Sequence, residues 1–234
     1  MLFLMFSSIG LYQLDSDTSK VVMSLMNILL IVVPLISVIF TTIHFYNSYE
    51  FIELMLAQPI NRRTIFVAEY IAVSFSLVIT FVIGLSTPMI IYGAGGIGGT
   101  LLISGSILTL VFTSLAFLVA VLTRDKAKAI GLGLLVWFYF TLIYDAIVLW
   151  VVYTFSDYPL DTATMIMISL NPVDLARILM VLKLDISALM GYTGAFYREF
   201  LGSNAGFFTS TAILLFWAII PAWLALHVFR KKDL

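Results

Sequence analysis

Cysteine is absent from the 234 residues, and charge is scarce: Lys, Arg, Asp and Glu make up 11% of the chain against 62% hydrophobic residues. The missing cysteines exclude disulfides, thiolate metal sites and thiol nucleophiles. The scarcity of charge excludes a soluble domain, which would have no polar coat left to face water. With a mean hydropathy of +1.11, lipid is the solvent. A formal net charge of -1 leaves no sizeable basic patch for phosphates, so nucleic acid is excluded as a partner. No Gly-x-x-x-x-Gly-Lys-Ser/Thr loop is present to cradle a nucleotide.

What remains is a set of long uncharged runs. Residues 70–123 contain no Lys, Arg, Asp or Glu, and glycines crowd their middle from Gly93 to Gly99. As one helix this stretch would reach roughly 80 Å, whereas folding at the glycines gives two spans suited to a hydrocarbon core of about 30 Å. The same reading yields five full spans at about 21–43, 70–92, 101–123, 130–153 and 207–229, each helical because lipid offers backbone amides no other partner. Residues 1–12 are apolar but reach only about 18 Å as a helix. They read as the outer end of a span whose inner part is missing, or as a short interfacial segment. The fold class is thus an all-α integral membrane protein, one domain over 1–234, with five full transmembrane helices and a partial N-terminal one.

Lys and Arg set the orientation. Linkers 44–69, 124–129 and 230–234 hold eight of them in 37 residues, and segments 1–20, 93–100 and 154–206 hold four in 81. The positive-inside rule puts Arg124, Lys126, Lys128 and the C-terminus in the cytoplasm and makes 154–206 external.

In the cytoplasmic segment 47–63, Asn47 followed by Glu50 has capping-box spacing, and Pro59 predicts an end to the helix near Ala57. Glu50 and Glu53 share one side of this helix, while Phe51 and Met55 can face other helices. In the external segment, Asn171 predicts an N-cap with Pro172 at the first helical position, Asp174 in the first turn and an Asp174–Arg177 pair. Val173, Leu175, Ile178, Leu179 and Leu182 make this segment apolar enough to lie in the interface or re-enter the bilayer. A dome over the bundle is expected, with Gly191 and Gly194 allowing a bend before Tyr197. Asp145 is the lone acid inside a span, roughly 12 Å below its outer end, and an ionised carboxylate there needs a partner or water. It is a candidate for cargo contact or gating, or for local pairing with Thr141 and Tyr144.

Met165, Met167, Met180 and Met190 read as packing rather than as a Cu(I) site, and His44 and His227 as interfacial rather than metal-binding. The spans hold no paired acid and base, no metal-ligand motif and no Ser/His arrangement, which argues against an intramembrane enzyme. Gly105, Thr109 and Thr113, with Gly131 and Gly133, form small-residue ridges that point to packing within the chain.

The 47–63 segment resembles the coupling element of ABC-2 type ABC transporter permeases, carried here by Glu50, Phe51, Glu53, Leu56, Pro59, Arg62 and Arg63. Residues 170–177 and 188–196, with Asn171, Pro172, Asp174, Arg177, Gly191, Tyr192 and Gly194, resemble in particular the permeases of nitrous-oxide-reductase maturation systems. The resemblance covers 21–234 and implies a multi-pass permease of the bacterial inner membrane that binds no cofactor itself. It implies a homodimer with cytoplasmic ATPase subunits that carry ATP and Mg, and a periplasmic beta-helical partner contacted by the external cap. The service implied is assembly of copper-sulfur centres, with copper or a sulfur species as cargo. A generic exporter of lipid, glycan or drug, and a scaffold that relays motion without transport, stand beside it. One departure is at the N-terminus, where members of this family begin with a cytoplasmic amphipathic helix and a complete first span.

Overall fold

The computed structural model describes residues 2–14, 18–92, 95–156, 158, 161–183 and 204–231, and among them there are helices and no strands. In chain order these are α1 (Leu2–Leu14), α2 (Thr18–Asn47), α3 (Tyr49–Leu56), α4 (Arg62–Tyr92), α5 (Gly95–Leu122), α6 (Lys126–Phe138), a π-helical turn (Tyr139–Ile143), α7 (Tyr144–Thr154), α8 (Asp161–Ser169), α9 (Pro172–Lys183) and α10 (Asn204–Lys231).

Among the described residues five helical stretches are long and apolar enough to cross a bilayer: Lys20–Asn47, Arg62–Ile91, Gly98–Leu122, Lys126–Thr154 and Gly206–Lys231. The fourth is α6, the π turn and α7 in one continuous run. Each exceeds the roughly 20 residues a bilayer core requires, so the helices tilt or project into the interface. The expected turn between the second and third spans falls at the glycines, since α4 stops at Tyr92 and α5 starts at Gly95. The chain is therefore a multi-pass all-α membrane protein. The N-terminal apolar stretch forms α1, which packs on α4 and α2.

α5 is the central helix. It contacts α10, α2, α4, α9 and α6, and 67% of its most apolar stretch is buried against 11% for the α6–α7 span. Small residues make this position possible. A Cβ on Gly105 would lie 2.4 Å from the Phe81 ring of α4, so only glycine admits that ring, and Phe81 is fully buried there. Gly133 of α6 likewise meets Val38 of α2, at 2.7 Å from its virtual Cβ. Gly105 and Gly133 thus serve packing within the chain, whereas Gly131 is exposed with open space beside it. Thr42 donates to the Val38 carbonyl and Thr109 to that of Gly105, whereas the Ser37, Thr41, Ser74 and Thr113 hydroxyls are buried without a hydrogen-bond partner among the described residues. Pro34, Pro88 and Pro221 all sit inside helices.

Two cores divide the bundle. One gathers Leu29 and Val33 of α2, Phe81 and Leu85 of α4, Leu108 and Phe112 of α5, Val173 and Leu175 of α9, and Leu214 of α10. The other, at the end where α2, α5 and α10 finish and α4 begins, is aromatic: Phe45, Phe66, Phe117 and Phe229 surround Ile52 of α3. Its ring centroids lie 5.3 Å apart for Phe66–Phe229, 5.7 Å for Phe66–Phe117 and 5.9 Å for Phe45–Phe117.

Candidate functional sites

The aromatic core seats α3. Ser48 is the single residue between α2 and α3, with φ -84° and ψ -1°, and the ladder runs almost unbroken across it: Ser48 N donates to the His44 carbonyl and Ile52 N to that of Ser48, both at 2.9 Å. The expected Asn47–Glu50 capping box does not form. Because the backbone stays helical through Ser48, Asn47 remains the last residue of α2, and its Oδ1 accepts from Lys126 Nζ at 2.8 Å. α3 ends at Leu56 with Ala57 as its C-cap, as Pro59 two residues on requires.

Of the α3 side chains, Ile52 is buried and Met55 and Leu56 are half-buried, while Glu50, Phe51, Glu53 and Leu54 point outward. Phe51, assigned by sequence to either packing or coupling, is 62% exposed. Burial, then the Glu53 carboxylate, holds the Tyr49 hydroxyl above its ordinary value, with Arg124 pulling the other way. Arg62 and Arg63 open α4 and, with Asn61, Thr64 and Arg230 from the end of α10, line an open cavity of about 380 Å³. Basic residues from two linkers thus meet at the start of α4, and Arg124 of a third acts on Tyr49 of α3. Beside them His44 Nδ1 lies 3.0 Å from Glu69 Oε1, a contact missed because Glu69 stood outside the expected span, whereas α4 begins at Arg62.

The second cluster lies toward the other end of the bundle, where α7 meets α9. α8 and α9 form a pair bent by 108°. α9 packs on the bundle, burying Val173, Leu175, Ala176, Leu179 and Met180 against α5, α10 and α2. In length and composition the pair matches a broken span or a re-entrant loop. The N-terminus of α9 is built as the sequence predicts: Asn171 Oδ1 accepts from Val173 N at 3.0 Å, Pro172 is the first helical residue, and Asp174 Oδ1 pairs with Arg177 Nη1 at 2.8 Å.

Sequence reasoning missed the partners across the helices. Asp145 Oδ2 of α7 accepts from the same Arg177 Nη1 at 3.0 Å. Asn171 Nδ2 donates to Asp174 Oδ2 and to the Phe140 carbonyl, both at 2.9 Å. The local pairing of Asp145 with Thr141 and Tyr144 is replaced: Tyr144 donates its hydroxyl to the Met167 carbonyl at 2.6 Å, and Thr141 Oγ1 is buried without a hydrogen-bond partner. The π turn supplies the reason, since its i→i+5 bonding takes residues four apart out of register. Asp145 Oδ1 is also buried and unpartnered. The cluster therefore carries two carboxylates on one guanidinium, with spare acceptor capacity beside the π turn.

Met180 is core and Met165 packs against it. His227 stacks on Trp223, with centroids 5.9 Å apart. Met190, Gly191, Tyr192 and Gly194 lie outside the described residues.

A search of protein families matches residues 2–234, all but the first, to the ABC-2 family of transporter proteins. The chain belongs to that family. It is also similar to the protein described as a probable ABC transporter permease protein NosY from Stutzerimonas stutzeri, 25% identical over 197 aligned positions that cover 76% of this chain and 67% of that protein. As an ABC-2 permease it is a subunit that works with ATPase subunits, and α3 and the ion cluster are features of a membrane component.

Proposed function

We propose that this chain is the permease of an ABC-2 transporter in which α3 docks on a separate cytoplasmic ATPase, with the α8–α9 pair on the external side. The observation that carries this reading is the seating of α3: Ile52 is anchored in an aromatic core shared by α2, α4, α5 and α10, while Glu50, Phe51, Glu53 and Leu54 face away from the bundle. A short helix packed on α2 and α4 and bare on its outer side is a lever. Force on it turns α2 and α4 together, because it is nearly continuous with one and separated from the other by one tight turn.

Similarity to the NosY permease supports a finer reading. The chain works as a homodimer in a bacterial inner membrane, its C-terminus cytoplasmic, ATP and Mg bound by the partner ATPase. It serves maturation of the copper-sulfur centres of nitrous oxide reductase, with a periplasmic beta-helical protein on the external side and copper or a sulfur species as cargo. The α7–α9 ion cluster favours a second form of this reading, in which the chain relays motion. Arg177 fixes α9 to the membrane span that carries Asp145, so tilting of that span displaces the external helices.

Co-purification tests the docking step. Glu50→Lys with Glu53→Lys is expected to release an ATPase that travels with the wild-type chain, and retention of the ATPase by this variant would refute the assignment. Stimulation of ATP hydrolysis in the reconstituted complex by Cu(I), a sulfur species or a lipid separates the cargo readings.

A further inference from the structure

The cavity at the start of α4 joins Arg62 and Arg63, which the sequence assigns to coupling, to Arg230 at the far end of the chain. Arg62, Arg63 and Thr64 come from the first turn of α4, Arg230 comes from the last turn of α10, and Asn61 precedes α4. The two helices are held together beside it by the Phe66–Phe229 contact. Among the described residues no carboxylate lines this cavity, and the Arg63 and Arg230 side chains are both exposed.

A second open cavity of about 350 Å³ shares Arg63 and Thr64 with the first and is completed by Val67 and Ala68. Its apolar side continues along α4 at helical spacing: after Thr64 and Ala68 come Ile71 and Phe75, 57% and 66% exposed on the face that the bundle leaves to lipid. A basic recess that opens into an apolar groove has the shape of an amphiphile with one anionic end.

We propose that this paired cavity binds an anionic phospholipid, its phosphate held by Arg63 and Arg230 and the beginning of an acyl chain laid along Val67, Ala68 and Ile71. Guanidinium forks match phosphate oxygens in pairs. The groove distinguishes a lipid from a soluble phosphate, which would need no apolar wall. Bound there, the lipid ties α4 to α10 next to α3, at the place where a lever needs a fixed pivot. The proposal rests on membrane embedding and not on the docking of α3, so its test contains no ATPase.

The test is native mass spectrometry of the full chain purified in mild detergent and supplied with phosphatidylglycerol or phosphatidylcholine. Wild type is expected to retain phosphatidylglycerol roughly tenfold better than phosphatidylcholine, since each arginine near the membrane surface contributes to anionic-lipid affinity. Arg63→Gln with Arg230→Gln should remove that preference. Ala68→Trp, which fills the groove and leaves every arginine in place, should reduce retention of phosphatidylglycerol. Equal retention of the two lipids by wild type, or unchanged retention in either variant, overturns the proposal. So does displacement of the lipid by millimolar inorganic phosphate, because the ligand would then be a soluble anion.

Discussion

Arg177 Nη1 stands 3.0 Å from Asp145 Oδ2 and 2.8 Å from Asp174 Oδ1, so one nitrogen joins the fourth span to α9. The Asp174 side chain is only 9% exposed and depends on that nitrogen and on Asn171 Nδ2 for its compensation. Arg177→Met should therefore destabilise the purified protein by about 3–5 kcal/mol, the cost of leaving buried carboxylates unpaired. Adding Asp145→Asn to that variant removes one of two facing negative charges and should restore part of the loss. Thermal unfolding of both single variants and the double variant in detergent checks the coupling, and strict additivity would contradict it.

Asp145→Asn alone tests whether the cluster serves function as well as packing. Amide for carboxylate keeps an acceptor for Arg177 but removes the negative charge beside the π turn. The expected outcome is normal membrane insertion with impaired output of the assembled transporter, measured as ATP hydrolysis by the reconstituted complex. Full activity would leave the residue a purely structural role.

The approach of α4 to α5 rests on one missing methyl. Gly105→Ala should cost about 1–3 kcal/mol, because the Phe81 ring has no free space to retreat into. Phe81→Leu in the same chain should recover part of it, a compensation readable in the same unfolding assay.

Much of this architecture was legible beforehand. The five spans follow from uncharged runs, the end of α3 from Pro59, and the N-terminus of α9 from Asn171 and Pro172, because each depends on neighbours in sequence. The partners of α9 across the helices were not legible. The Asp174–Arg177 pair follows from their spacing, but the bonds from Asn171 to Asp174 and Phe140 and from Arg177 to Asp145 depend on how the helices meet. The π turn was hidden for the same kind of reason: nothing in Tyr139–Ile143 disfavours an α-helix, and only the third dimension presents the Phe140 carbonyl to Asn171. Asn47 misled because its capping spacing competed with a continuous helix and with Lys126, 79 positions away.

α3 is held chiefly through Ile52. Ile52→Ala should remove about 2–5 kcal/mol of burial, more than an eight-residue helix can lose and stay docked. Hydrogen exchange should then rise across Tyr49–Leu56 while the amides of α5 keep their protection. Loss of protection throughout the bundle would instead mean that α3 is part of one global core.

The account depends most on α3 and the α8–α9 pair lying on opposite sides of the membrane. The chain has no cysteine, so single substitutions report without background. Asn61→Cys, beside α3, and Tyr158→Cys, before α8, both replace exposed residues. With a membrane-impermeant maleimide on intact cells, the account predicts that Tyr158→Cys is labelled at once and Asn61→Cys only after permeabilisation; labelling of both from one side would contradict it.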